Sequence, residues 1–140
     1  MRIALDASVL IAAHISRAGV CAALLEDVLL HHDLVSSEFI LRELARKLRK
    51  KAGFATRDAG QIAAFLRRVS IDVVPLALPL QGCRDPRDMP VGAAIEGRVA
   101  LLVSVDRDLL DLKFIQGIPI IRPGEFWQRA QPLQQLMNDV

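Results

Sequence analysis

Four carboxylates stand out as residues able to do chemistry: Asp6, Glu43, Asp88 and Asp106, with Asp85, Asp108, Ser8 and Ser104 nearby. Each acid taken alone has an ordinary structural use. Asp88 suits a helix N-cap, Asp106 and Asp108 suit a turn, Asp85 precedes a proline in a loop, and Glu43 can pair with Lys47 on a helix surface. Together they read differently. Asp6 and Asp106 each close an apolar run of strand type, and like charges gathered there must be protonated or neutralised by a cation. All-oxygen ligands without paired His or Cys select Mg²⁺ or Mn²⁺ over zinc. Carboxylate-held ions of that kind promote in-line attack on phosphodiesters.

The elements that would gather these acids are concentrated between Arg84 and Leu110, RDPRDMPVGAAIEGRVALLVSVDRDLL. Asp88 is the expected cap of a helix carrying Val91, Ala94 and Ile95 at helical spacing and ending at Gly97 and Arg98. Leu101, Leu102 and Val103 follow as a strand buried on both faces. About ten helical residues descend roughly 15 Å and about five strand residues climb the same distance, so Asp88 and Asp106 return to one sheet edge. Open α/β sheets bind ligands beyond the carboxyl ends of their strands.

Taken in order, the pattern predicts a strand at 2–5, a helical turn at 7–13, a helix at 20–30, a strand at 33–36 and a helix at 37–52. It continues with a helix at 58–69, a strand at 71–74, a Pro-punctuated connection at 75–83, a turn at 108–113 and a strand at 118–121. A terminal helix opens at Pro123 and Gly124, and Pro132 must break or restart it. Strands alternating with helices predict an α/β domain with a mostly parallel sheet. No repeat or low-complexity segment interrupts it.

The chain's 140 residues suit one domain with a real core. It is 52% hydrophobic with a mean hydropathy of +0.31, yet no apolar run approaches the roughly 20 residues of a membrane span. The opening MRIALDASVLIAAH has the charge order of a signal peptide, but Asp6 within it and the lack of a cleavage site argue against export. Two cysteines, Cys21 and Cys83, are too few and too far apart for a zinc or disulfide framework, so a reducing cytoplasm is expected and both read as small buried hydrophobes. Net charge is only +2, but RELARKLRKK, residues 42–51, holds six basic residues and one acid. Arg46, Lys47 and Lys50 share a helix flank with Glu43, which by itself reads as a solvated helix face. His14, His31 and His32 read as surface or capping residues, and aromatic side chains for base stacking are few.

Asp6-Ala7-Ser8 after a strand, Glu43 in a helix, Asp88 followed by Val91 and Ala93-Ala94, and the closing VSVDRDLL, residues 103–110, together resemble a PIN domain. Within that superfamily the chain is similar to the toxins of toxin–antitoxin operons related to the VapC group. The resemblance spans essentially all of residues 1–140. It implies a single PIN-like domain, an α/β/α sandwich around a mostly parallel central sheet. It further implies an endoribonuclease that uses Mg²⁺ or Mn²⁺, with Asp6, Glu43, Asp88 and Asp106 as the acidic quartet and Asp6, Asp88 and Asp106 as metal ligands. Ser8, Asp85, Ser104 and Asp108 would be accessory, and Arg46, Lys47 and Lys50 would bind RNA. A cognate antitoxin and a homodimer are the implied partners. Val105 and Met89 depart from the usual pattern, the first standing where a small or polar residue is common and the second where another acid often follows Asp88. Two rival classes remain. A haloacid-dehalogenase-like phosphatase would need an acid two residues after Asp6, where this chain has Ser8. A noncatalytic PIN relative that binds RNA or protein would share the same core.

Overall fold

The computed structural model describes residues 1–74 and 89–129, with the side chains of 89 and 90 excepted. Their central feature is a six-stranded sheet in the order β3-β2-β1-β4-β6-β5, formed by β1 (Arg2–Leu5), β2 (Asp33–Ser36), β3 (Ile71–Asp72), β4 (Leu101–Val103), β5 (Phe114–Ile115) and β6 (Ile118–Ile121). Every pairing is parallel except that between β5 and β6. The inner strands are short and almost wholly apolar because helices cover both of their faces.

Strand alternation divides the core in two. Ile3, Leu5, Leu34, Leu101 and Val103 point to one side and pack with α1 (Ala7–Ile15), α2 (Val20–His31), α3 (Glu38–Lys50) and α4 (Thr56–Val69). Ala4, Val35, Leu102 and Ile120 point to the other and pack with Val91 and Ala94 of α5 (Met89–Glu96) and Leu109 of α6 (Arg107–Leu112). The expected α/β architecture around a mostly parallel sheet is therefore present.

Local chemistry sets the helix ends. Ser37 caps α3 by accepting from the Ile40 amide at 3.3 Å, so the helix expected at 37–52 runs from Glu38 to Lys50. The helix expected from 58 begins at Thr56, and the strand expected over 71–74 is reduced to Ile71–Asp72. The region read as a turn at 108–113 is α6, because Asp106 caps a helical turn through the Asp108 amide at 2.9 Å. After α5, Gly97 passes so close to β2 that a β-carbon there would lie 2.5 Å from Val35 Cγ1. Pro123–Glu125 forms a 3-10 turn leading into helical residues 126–129. The expected connection at 75–83, Cys83, Asp85, Asp88 and Pro132 lie outside the described residues.

No single helix among the described residues is long and apolar enough to cross a membrane; α1 and α2 pass such a test only as a pair bent by 110°. Their apolar residues, from Val9 and Leu10 to Leu24 and Val28, fill the protein core instead.

Candidate active site

β1 and β4 pair in parallel with Leu5 beside Val103, so the next residue on each, Asp6 and Ser104, are neighbours at the carboxyl edge. The ladder continues to them, since the Asp6 amide donates to the Val103 carbonyl at 3.2 Å. Asp6 then leaves the strand and caps α1. Its Oδ1 accepts from the Val9 amide at 3.2 Å and from the Ser8 hydroxyl, while its Oδ2 accepts from the Ser104 hydroxyl. Ser104 Oγ in turn accepts from the Asp106 amide at 2.9 Å, and Ser8 Oγ accepts from the Val105 amide at 3.4 Å. The two hydroxyls thus tie the end of β1 to the loop after β4, bringing together residues 98 positions apart in the chain.

Asp6 is only 3% exposed, whereas Asp106 and Asp108 are open to solvent. Burial pushes the Asp6 carboxyl above the usual aspartate range; hydrogen bonds from Ser104, Ser8 and Val9 pull it back, and the charge of Asp106 adds a smaller upward push. Desolvation, rather than like-charge crowding, is thus the main reason this group resists ionisation. None of the ion pairs among the described residues involves Asp6 or Asp106. Burial likewise raises the Cys21 thiol, with a further upward push from Asp6, and Cys21 is a buried free cysteine as expected.

Glu43 is placed differently. Its Oε1 accepts from Arg46 at 2.7 Å and lies 3.3 Å from Lys47 Nζ. The Arg46 hydrogen bond, with help from Lys47, holds this carboxyl below its usual range. No hydrogen bond or ion pair among the described residues connects it to Asp6 or Asp106. Lys50 is exposed on the same helix. The histidines occupy structural positions: His14 Nδ1 contacts the Leu10 carbonyl at 2.7 Å, His31 lies 3.8 Å from Asp27, and His32 packs edge-on against Phe126. Asp85 and Asp88, two of the residues assigned to this edge from sequence, fall outside the described residues; the helix expected to follow Asp88 starts at Met89.

Beside Asp106 lies a feature that the sequence reading passed over, an open cavity of about 220 Å³ lined by Val105, Arg107, Leu110, Arg122 and Pro123. Arg107 stood in plain view within VSVDRDLL. Arg122 could be found only through strand register, since Val103 pairs with Ile121 and the following residues, Ser104 and Arg122, are therefore adjacent.

Parallel strands that end in a buried aspartate, and a second aspartate tied to it by serine, define an acidic sheet edge where open α/β folds bind their ligands. The chain belongs to the PIN domain family, whose sequence model matches residues 2–108. No curated protein sequence matches it. Among solved structures, it is similar to PAE2754 from Pyrobaculum aerophilum, with 19% identity, a TM-score of 0.64, and coverage of 94% of this chain and 90% of that one. It is also similar to a chain of VapBC2 from Rickettsia felis, solved bound to a DNA fragment from their promoter, with 13% identity, a TM-score of 0.59, and coverage of 87% and 98% respectively. At such identities the likeness is one of fold.

PIN domains generally use divalent ions, and the donors at this edge suit a hard cation: carboxylates and hydroxyls, with no imidazole or thiolate among the residues hydrogen-bonded to Asp6. Among the described residues there is no group of three or more His, Cys, Asp or Glu placed to hold a metal ion.

Proposed function

We propose that this chain is a metal-dependent endoribonuclease, the toxin component of a toxin–antitoxin pair. The observation that carries the reading is Asp6: a carboxylate buried at the end of a central strand, oriented by two hydroxyls and lacking a cationic partner among the described residues. Burying an unneutralised carboxylate is costly, and a bound divalent ion offsets that cost. Membership of the PIN domain family supports the nuclease assignment.

On this reading Asp6, Asp88 and Asp106 would hold Mg²⁺ or Mn²⁺, and the ion would supply Lewis acidity at the scissile phosphate. Ser8 and Ser104 fix the two oxygens of Asp6, and Ser104 also positions the Asp106 backbone. The Asp108 amide steadies the Asp106 carboxylate, while Asp85 is the remaining accessory acid. Glu43 is the fourth quartet member. Arg46, Lys47 and Lys50 would meet RNA phosphates in a salt-sensitive, largely sequence-blind way. The VapBC2 likeness supports a partner protein, here an antitoxin; residues 1–140 acting as one nuclease domain, a homodimer and a cytoplasmic location complete the proposal.

The rival reading is a catalytically weak or inactive PIN relative that binds RNA or protein. It is favoured by the engagement of Glu43 with Arg46 and Lys47. Cleavage of RNA separates the two. Asp6→Asn is expected to abolish Mn²⁺-dependent hydrolysis while the circular dichroism spectrum stays native. Equal cleavage by variant and wild type refutes the assignment, and a wild-type chain that binds RNA without cutting it favours the rival.

A further inference from the structure

Asp6, Ser104 and Arg122 follow, one residue on, the paired rows Leu5–Val103 and Val103–Ile121. They therefore form a row across three neighbouring strands. The Ser104 amide donates to the Ile121 carbonyl at 3.0 Å, so the row is held by the same ladder as the sheet. Strands lie about 4.8 Å apart, which sets the backbone of Arg122 roughly 10 Å from that of Asp6. By alternation all three continue the sheet face of Ala4, Leu102 and Ile120, the face that α6 covers. Arg107, the residue after Asp106, lines the same cavity as Arg122. Both arginines are exposed, and neither has a carboxylate partner among the described residues.

The rest of the lining is apolar. Val105 is 48% exposed at the cavity, beside Leu110 and the buried Pro123. A volume of about 220 Å³ falls below the range typical of drug-sized ligands, roughly 300–1,000 Å³, and suits a single small group. Paired guanidiniums match phosphate oxygens as planar forks, and an apolar wall offers a base a dry face. A positively charged groove that tracks the backbone is how the phosphates of single-stranded nucleic acid are held without sequence readout, and this lining supplies that charge without the aromatic platforms that stack bases.

We propose that the Arg107–Arg122 groove is a nucleotide subsite that grips the phosphate of single-stranded RNA next to the residue held at Asp6 and Asp106. The subsite deepens the nuclease reading and rests on it for its substrate, yet it can be tested without cleavage. Binding of a short fluorescein-labelled oligouridylate is followed by anisotropy in EDTA across a salt series. The Arg107→Ala/Arg122→Ala variant, checked for native folding by circular dichroism, is expected to bind roughly tenfold more weakly. Its log–log salt slope should be shallower by about 1.4, the value for two lost contacts to a single strand. Val105→Asp, which keeps both arginines but adds an anion to the wall, should weaken binding as well.

Unchanged affinity and slope in the double variant overturn the proposal. So does arginine-dependent binding of oligoglutamate with oligouridylate binding unaffected, which reassigns the groove to an acidic protein segment. Arginine-dependent RNA binding by a wild type that never cleaves with Mn²⁺ keeps the groove and removes the nuclease. Cleavage with arginine-independent binding does the reverse.

Discussion

Asp6→Asn offers a thermodynamic test as well as a catalytic one. The carboxyl is buried, and desolvation raises its folded-state pKa above the ordinary value of 3.8. The native state therefore holds the proton more tightly than the unfolded chain, and for this group metal-free stability is greatest below 3.8. That stability is lost as pH rises through the folded-state pKa. A buried charge costs several kcal/mol after relaxation, and the hydrogen bonds from Ser8, Val9 and Ser104 return part of it. The carboxyl stays raised with all three bonds in place, so they do not cancel its desolvation; the penalty left at neutral pH is set at about 1–3 kcal/mol, the scale of an incompletely compensated buried polar group. Asparagine keeps the helix cap and can bond both serines without a charge. Metal-free Asp6→Asn should therefore melt roughly 3–10 °C above wild type at neutral pH, and the gap should close towards about pH 4. Adding Mn²⁺ reverses the order: at a hundred times its dissociation constant a ligand contributes about 2.7 kcal/mol, or roughly 9 °C, and only wild type should gain it. Scanning calorimetry in EDTA and in Mn²⁺, from about pH 4 to about pH 8, reads all of this. An asparagine variant that melts below wild type in EDTA at neutral pH refutes the burial argument. Equal stabilisation of both proteins by Mn²⁺ refutes Asp6 as a ligand.

Ser104→Ala removes a fully buried hydroxyl that serves both Asp6 and the Asp106 amide. It should cost about 1–3 kcal/mol in urea unfolding and reduce cleavage, because the carboxylate loses a donor. Glu43→Gln should leave the melting temperature nearly unchanged, since its partly exposed ion pairs are worth less than about 1 kcal/mol. It should nonetheless slow cleavage at least roughly tenfold if Glu43 belongs to the acidic quartet, and an unchanged rate removes it from that set. Gly97→Ala drives a β-carbon against Val35 and should cost about 1–3 kcal/mol, measured by denaturant midpoint; a neutral result would mean that α5 shifts freely away from β2.

What could be read from the chain follows from how local each feature is. β1, β4 and β6 announced themselves as short apolar runs, because covering both faces of a strand removes its polar alternation, while β2 was placed by the helix start that follows it at Ser37 and Glu38. The pairing of Glu43 with Lys47 was legible too, since positions four apart on a helix must meet. β5 was not. It is two residues long and exists through a hairpin turn at Gln116 and Gly117, whose φ values of 47° and 80° belong to a two-residue loop usually signalled by Asn-Gly or Asp-Gly. Without that signal, Phe114 and Ile115 look like the end of a loop. α6 was read as a turn because six residues give too little periodicity to separate the two.

The acidic edge shows the same division at finer scale. That Asp6 ends a strand could be inferred from its neighbours, but its burial depends on Ser8 folding back and Ser104 reaching across from β4. Those contacts are consequences of register, and register is a relation between distant segments that no local window contains. Arg122 lies beyond local reading for that reason: its significance is its position two strands from Asp6, created by the β4–β6 pairing. Apolar runs choose the strands, their pairing chooses the row, and through it an aspartate, a serine and an arginine come to share one sheet edge. A substitution that shifted β4 by one residue would turn Ser104 to the opposite face and separate it from Asp6. It would dismantle the edge while leaving every proposed site residue in place in the sequence.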